Sequence, residues 1–252
     1  MRVAALYDVH GNLPALEAAL EEIGREGFDR VVVGGDVVFG PMPVRSLARL
    51  TELETPARFL VGNTDREVVA RRQGRETKWY RGQPEARRAQ LDWVAGRLDD
   101  DGARTIGSWP ATVELEIDGL GRVLFCHATP RNDVEIFTRL TSEAVLLPVF
   151  AGVDAALLVC GHTHMQFDRR VGGLRVVNAG SVGMPFGPPG AYWLALGPGV
   201  ELRRTEYDLD RAARRVRATG FPGAAEFASR QILEPPTERQ MLDLFGPAEL
   251  SP

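Results

Sequence analysis

Short apolar runs alternate with amphipathic segments along the first third of the chain. The apolar runs occupy residues 3–7, 31–33 and 58–61, and the segments between them, residues 13–23 and 44–53, carry apolar positions at helical spacing. This alternation predicts a β-α-β-α-β unit whose parallel strands are joined by right-handed helical crossovers. Because loops at the carboxyl ends of such strands carry ligands, the polar residues after each run are the first candidates for a functional site.

The middle of the chain changes character twice. Residues 66–104 are rich in charged and helix-forming side chains, which predicts a helical excursion with helices near residues 65–73 and 84–98. Two strand-like runs at residues 113–117 and 123–126 then flank a glycine-containing turn and predict a hairpin. We therefore expect helices to follow the β-α-β-α-β unit, and the two strands of the hairpin to follow those helices.

A second set of strands follows the hairpin, with one helix near residues 142–151. Its strand-like runs lie at residues 157–160, 167–171, 175–177, 191–196 and 201–207. We expect an α/β fold in which two sheets face each other and helices cover the outside.

The pattern of the last part of the chain, residues 208–252, predicts one or two helices, near residues 210–219 and 224–232, and then a proline-interrupted tail. A chain of 252 residues suits one large α/β domain. We therefore expect one domain over residues 1–207, with the C-terminal helices packed on it.

Composition narrows the class of protein. The chain carries 30 Lys and Arg against 34 Asp and Glu, a net charge of -4, and its isoelectric point is about 5.7. These near-average values exclude a disordered chain or a coiled coil. The chain has no run of basic residues, so nothing predicts a nucleic-acid partner. No apolar stretch approaches the ~18 residues of a membrane span, no signal peptide is evident, and the 2 cysteines suit a reducing compartment. We expect a cytoplasmic protein without a membrane partner.

Every histidine of the chain stands at a predicted strand end. The 4 histidines are His10, His127, His162 and His164. Asp8-Val9-His10 follows the first strand, and alternate residues of an extended segment point the same way, so Asp8 and His10 are expected to face one ion.

Two further polar fragments end the second and third strands, Gly35-Asp36 and Gly62-Asn63. A lone histidine is more often structural than ligating, and a Gly-Asp pair at a strand end is more often a turn. The joint occurrence of such fragments at successive strand ends is hard to explain by core formation alone. The sequence therefore predicts a metal site.

The order of these fragments resembles that of the calcineurin-like metallophosphoesterases, D-x-H, G-D, G-N-[HCT]-[DE], H and then G-H-x-H. The resemblance covers roughly residues 1–207. Finer matches indicate the small bacterial and archaeal branch: the segments 8–12, 35–41, 127–131 and 178–183. The resemblance implies a four-layer α-β-β-α sandwich of two mixed sheets, with two metal ions over the strand ends.

Carried over position by position, the resemblance implies a set of seven metal ligands. Asp8, His10 and His164 would hold one ion, Asn63, His127 and His162 the other, and Asp36 would bridge the two. Imidazole and carboxylate ligands without a thiolate suit Mn, Fe, Zn, Co or Ni. The implied reaction is hydrolysis of a small phosphodiester or phosphomonoester, with diesters favoured, through direct attack of a hydroxide that bridges the metals.

One position departs from the larger family members, which carry a proton-donating histidine directly after Gly-Asn. Here that residue is Thr64, whose hydroxyl does not titrate near neutral pH and is a poor general acid. The hypothesis is that water or Asp65 protonates the leaving group, so that leaving groups of low pKa are favoured.

Two further residues have both a functional and a structural interpretation. Arg131 is a candidate for binding substrate phosphate through a bidentate fork, and Asn12 for contacting the same phosphate. Asn12 stands equally well as the N-cap of the helix that begins near residue 13.

Two functional classes fit the resemblance. One is an enzyme that hydrolyses a small phosphate ester, with nucleotides among the candidate substrates; the other is a non-catalytic scaffold, as in the retromer subunit that shares this fold. Scaffolds tend to lose ligands, whereas all seven positions are filled here, so we favour the enzyme. A nuclease or protein phosphatase is less favoured, because the chain is acidic and Thr64 departs from both branches.

Overall fold

The computed structural model describes residues 1–250. The described residues form two five-stranded sheets, with strand orders β10-β9-β1-β2-β3 and β4-β5-β6-β8-β7. The strands are β1 (Val3–Leu6), β2 (Arg30–Val33), β3 (Ala57–Phe59), β4 (Thr112–Ile117), β5 (Gly121–Cys126), β6 (Leu157–Cys160), β7 (Phe167–Val171), β8 (Leu174–Asn178), β9 (Ala191–Leu196) and β10 (Val200–Thr205).

Helices cover the outer faces of both sheets. They are α1 (Leu13–Glu26), α2 (Pro43–Thr51), α3 (Asn63–Arg72), α4 (Lys78–Gly82), α5 (Glu85–Arg97), α6 (Asp100–Gly107), α7 (Glu143–Phe150), α8 (Leu209–Arg217), α9 (Ala224–Phe227) and α10 (Glu238–Phe245). A π-helical turn, Ala228–Leu233, continues α9. Among the described helices, none has the length and apolar character to cross a membrane.

The parallel β1-β2-β3 arrangement confirms the β-α-β-α-β prediction, and β4 and β5 form the predicted antiparallel hairpin. The grouping of the later strands was wrong in one respect. The strands β9 and β10 join the first sheet, where β9 runs antiparallel beside β1, rather than completing the second sheet. The residues of β9 explain the position, because Trp193 faces the helices and Leu194 faces the second sheet, as a central strand requires.

Three apolar cores separate four layers. Tyr7, Phe125 and Val159 are fully buried between the two sheets. Leu16 and Val31 belong to the core under the helices of the first sheet, and a smaller core lies beneath α7 on the second. The predicted α-β-β-α sandwich is confirmed.

The helical excursion and the C-terminal helices cover the same face of the first sheet. Val94 of α5, Val216 of α8 and Ile232 of the π-helical turn are all buried in one core. The helices α4, α6 and α10 were not predicted, although Thr237 and Gln240 form a capping box before α10 that marks its start. The last two residues of the predicted tail, 251 and 252, lie outside the described residues.

Candidate metal centre

The seven predicted ligands come from both sheets. The loops after β1 and β2 supply Asp8, His10 and Asp36, and Asn63 is the first residue of α3, which follows β3. The loops after β5 and β6 supply His127, His162 and His164. The edge of the sandwich where these strands end therefore brings together residues that are far apart in the sequence.

The backbone at this edge is unusual. Five of the predicted ligands have positive φ angles: Asp8 (54°), His10 (47°), Asp36 (53°), His162 (65°) and His164 (57°). Such left-handed conformations cost energy for residues other than glycine and cluster at functional sites. The expectation that Asp8 and His10 project from an extended segment was therefore wrong, since both residues lie in a turn.

Backbone hydrogen bonds between two loops hold this turn in place. The Asp8 amide donates to the Gly35 carbonyl at 3.1 Å, and the His10 amide donates to the Asp36 carbonyl at 2.9 Å. The loops after β1 and β2 are thus tied together at the residues that carry the carboxylates and His10.

Two carboxylates lie among the histidine rings. Asp8 Oδ1 is 3.3 Å from His164 Nε2, 3.8 Å from His10 Nε2 and 3.9 Å from His127 Nε2. Asp36 Oδ2 is 3.7 Å from His10 Nε2 and 3.6 Å from His127 Nε2. Two ligand groups result, Asp8 with His10 and His164, and Asp8 with Asp36 and His127. Asp8 belongs to both groups, whereas Asp36, the predicted bridging residue, belongs to only one.

Three of the rings are oriented by backbone carbonyls. The Nδ1 atoms of His10, His127 and His164 lie 3.2, 2.8 and 2.7 Å from carbonyl oxygens of Phe39, Gly34 and Met184, respectively. Because a carbonyl oxygen only accepts, each Nδ1 carries the proton and each Nε2 faces the centre. This is the arrangement by which proteins orient metal-binding histidines.

The centre contains acceptors that lack donors. His10 Nε2 and His164 Nε2 lie 3.2 Å apart, and with each Nδ1 proton directed at a carbonyl neither Nε2 has a donor to offer the other. Asp8 Oδ1 is fully buried and has no hydrogen-bond partner among the described residues. Buried acceptors that converge without a proton between them call for a cation, so the residues fit divalent metal ions. The buried thiols of Cys126 and Cys160 contact backbone carbonyls and belong to neither ligand group.

The electrostatics agree with this interpretation. Burial lowers the pKa of His10 to about 4, so its ring is neutral at pH 7. Burial also disfavours charge on His127, but Asp36 and Asp8 outweigh it and raise the pKa of His127 to about 10. The two carboxylates thus attract positive charge to this point, which a proton on His127 or a metal ion supplies.

Asn63 and His162 complete the predicted set at its margin. Asn63 Oδ1 is 3.0 Å from His127 Nε2. His162 packs edge-on against His127, with ring centroids 5.1 Å apart, and its Nε2 faces the Val134 carbonyl at 3.3 Å. His162 therefore lies beside the centre, outside both ligand groups.

The three residues predicted to bind substrate are Asn12, Arg131 and Thr64, and each makes contacts within the protein. Asn12 is fully buried, its Oδ1 accepts from the Ala15 amide and its Nδ2 donates to the Gly183 carbonyl, so it caps α1. Arg131 forms a salt bridge with Glu135 and lines a cavity with residues of β4 and α7. The amide of Thr64 donates to Asp36 Oδ1 at 2.9 Å, and its hydroxyl is buried without a partner among the described residues.

Asp65 occupies a structural position. It is fully buried, and its Oδ1 accepts from the amides of Val37 and Val38 at 2.9 and 3.1 Å. Burial and the charge of Asp36 raise the pKa of Asp65 to about 7. The side chain therefore holds the loop that carries Asp36, and this geometry favours a structural role over delivery of a proton to a leaving group.

Substitution of Asp65 separates the two roles. Asp65→Asn keeps an Oδ1 acceptor for both amides, so we expect it to retain most of the hydrolytic rate. Asp65→Ala leaves two buried amides without an acceptor and should lower the free energy of unfolding by about 1–3 kcal/mol. Initial rates and urea unfolding of both variants test this. Loss of activity in Asp65→Asn at unchanged stability would instead support proton donation.

One residue near the centre escaped the sequence analysis. Arg87 of α5 places its guanidinium 4.2 Å from the centroid of the Phe39 ring, and it has no hydrogen-bond or ion-pair partner among residues 1–250. Burial lowers the pKa of Arg87, while the charge of Asp36 raises it. The sequence offers no signal for this position, because an arginine in a charged helix is usually solvated.

Comparisons with known proteins agree with the geometry. Residues 1–196 match the sequence profile of the calcineurin-like phosphoesterase superfamily domain. An uncharacterized protein of Methanocaldococcus jannaschii is 28% identical over 240 residues, which cover 87% of this chain and 93% of that protein.

Two solved structures share the fold. A hypothetical protein from Pyrococcus horikoshii superposes with a TM-score of 0.76 at 20% identity, over 90% of this chain and 97% of the other. A metallophosphoesterase from Sphaerobacter thermophilus superposes with a TM-score of 0.71 at 25% identity, over 91% of this chain and 98% of the other.

Proposed function

The chain belongs to the calcineurin-like phosphoesterase superfamily, and from that membership we propose that it is a phosphoester hydrolase that depends on two divalent metal ions. Its proposed substrate is a small phosphodiester or phosphomonoester, with diesters favoured. The observation that carries this proposal is the convergence of Asp8, Asp36 and three Nε2 atoms at one buried point.

The proposed ligands are the seven predicted residues. Asp8, His10 and His164 would hold one ion, and Asn63, His127 and His162 the other, with Asp36 between them. When bound, the ions would act as Lewis acids on the phosphoryl oxygens and lower the pKa of water.

The residues around the centre would orient and shield the reaction. Carbonyl oxygens fix the His10, His127 and His164 rings, so these rings do not need to reorganise when a substrate binds. Phe186 stacks on His164 with centroids 5.1 Å apart and excludes water from that side.

The alternative proposal is a non-catalytic metal-binding scaffold. Against it stands the completeness of the ligand set, since all seven positions are filled and non-catalytic relatives of this fold tend to lose ligands. Hydrolysis therefore accounts for more of the structure.

The first experiment compares bis-p-nitrophenyl phosphate with p-nitrophenyl phosphate as substrates. Protein stripped of metal and reloaded with Mn²⁺ is expected to release p-nitrophenol, and the chelated protein should not. Faster turnover of the diester would support the diesterase proposal. Stoichiometric metal binding without turnover of either compound would favour the scaffold.

The leaving group provides a second test. Because Thr64 cannot act as a general acid near pH 7, we expect aryl phosphodiesters, whose leaving groups have low pKa values, to be hydrolysed much faster than alkyl phosphodiesters. Rates for a series of p-nitrophenyl, phenyl and methyl esters would show a steep dependence on leaving-group pKa. Equal rates across the series would contradict the absence of a proton donor.

A further inference from the structure

A cavity of about 290 Å³ lies between α5 and the C-terminal segment that contains α9. Its lining includes Phe39, Arg87, Gln90, Met184, Phe221 and Gln231. The volume is at the small end of the range for ligand sites, so the cavity suits a group no larger than a nucleoside.

The cavity adjoins the candidate metal centre through two of its lining residues. The carbonyl of Phe39 faces the His10 ring at 3.2 Å, and the carbonyl of Met184 faces the His164 ring at 2.7 Å. A ligand in the cavity therefore lies next to the side of the centre formed by His10 and His164.

Arg87 supplies the positive charge of this cavity. Its guanidinium stacks on Phe39 and has no anionic partner among residues 1–250. A phosphoryl group is an anion whose oxygens match the planar fork of donors of a guanidinium.

The rest of the lining combines aromatic and polar side chains, including the carboxylate of Glu226. Phe221 and Phe227 pack edge to face at 6.3 Å and give the cavity an aromatic wall. Gln90 is already engaged, since it donates to the Pro222 carbonyl at 3.0 Å. The wall formed by Phe221 and Phe227 therefore suits a planar aromatic group.

Building on the proposed function, we propose that Arg87 binds the phosphoryl group of the substrate and that this cavity takes an aromatic or heteroaromatic substituent of the ester. The substrate class is thus a phosphodiester of a nucleoside or a similar planar alcohol. Arg87 lies in α5, within the helical excursion of residues 66–104, so this part of the chain would determine which substrates are bound.

The Arg87 part of the proposal is tested with Arg87→Gln and Arg87→Lys, and with Arg88→Gln as a matched control on the same helix. Calorimetry of the Mn²⁺-loaded proteins measures binding of inorganic phosphate. We expect Arg87→Gln to raise the phosphate dissociation constant about 10- to 100-fold, Arg87→Lys to raise it less, and the control to match the wild type. Mn²⁺ stoichiometry should be unchanged in all three.

Steady-state kinetics test the cavity with two diesters that share the leaving group. The p-nitrophenyl ester of thymidine 5′-phosphate is expected to have a lower KM than methyl p-nitrophenyl phosphate, because its base would contact the wall formed by Phe221 and Phe227. Equal KM values for the two esters would overturn the assignment of the cavity.

The outcomes separate this inference from the proposed function. Unchanged phosphate binding in Arg87→Gln, together with hydrolysis by the wild type, overturns the inference alone. Weaker phosphate binding in Arg87→Gln without hydrolysis by the wild type supports Arg87 and overturns the proposed function. Absence of phosphate binding by the Mn²⁺-loaded wild type, without hydrolysis, overturns both.

Discussion

Asp36→Asn should lower metal-dependent hydrolysis by more than about 100-fold, which exceeds the usual effect of losing an outer hydrogen-bond partner of a metal ligand. The asparagine Oδ1 can still accept from the Thr64 amide, so the local fold should survive. What disappears is the charge between His10 and His127, where Asp36 Oδ2 is 3.7 and 3.6 Å from the two rings. Initial rates, metal content and the melting temperature measure the three effects separately.

The control for this substitution is Asp154→Asn. The Asp154 side chain is 89% exposed and pairs with Arg122, so its loss should leave rate and metal content unchanged. If Asp36→Asn kept the wild-type rate and metal content, Asp36 would not belong to the metal centre.

Gly40→Ala is expected to disturb the centre through the backbone. A Cβ at Gly40 would lie 1.7 Å from the His10 carbonyl oxygen, and neither backbone segment can yield as a flexible side chain would. We expect the free energy of unfolding to fall by about 1–3 kcal/mol or more, because the loop must shift. Since the clash is with the backbone of His10, a proposed ligand, metal affinity and hydrolysis should fall as well. Urea unfolding, metal titration and initial rates are the measurements.

Gly24→Ala is the matched control. Gly24 lies within α1, and an added Cβ meets no atom within 4 Å. Alanine should therefore stabilise the protein by about 0.5–1 kcal/mol through its better helix propensity. Equal stabilities for Gly40→Ala and the wild type would mean that the loops around His10 are more plastic than the structure implies.

Much of the site could be predicted because its chemistry is concentrated at strand ends. The first strands were evident from the apolar runs, and in parallel strands the carboxyl ends share one edge of the sheet. Asp8 and Asp36 could therefore be placed together from the sequence, although the reason given for Asp8 and His10 was wrong. Extended alternation was assumed, whereas left-handed turn residues project both side chains.

Contacts between distant segments were beyond the sequence. The strand β9 pairs with β1 in the first sheet. Its pattern of apolar residues would be the same in either sheet, so the sequence does not show which sheet it joins. Arg87 was missed for a similar reason, since only the docking of α5 beside Phe39 makes it a partly buried charge. Asn12 had two interpretations, and the contacts of its amide indicate the cap.

The left-handed backbone at Asp8, His10, Asp36, His162 and His164 has a consequence for engineering and for evolution. Each such residue costs roughly 1–2 kcal/mol, which glycine at the same position would largely avoid. Selection for thermal stability alone would therefore favour glycine where ligands now stand. A stabilised variant designed from backbone fit without regard to metal binding would tend to remove its own ligands, so these five positions should be held fixed in any such design.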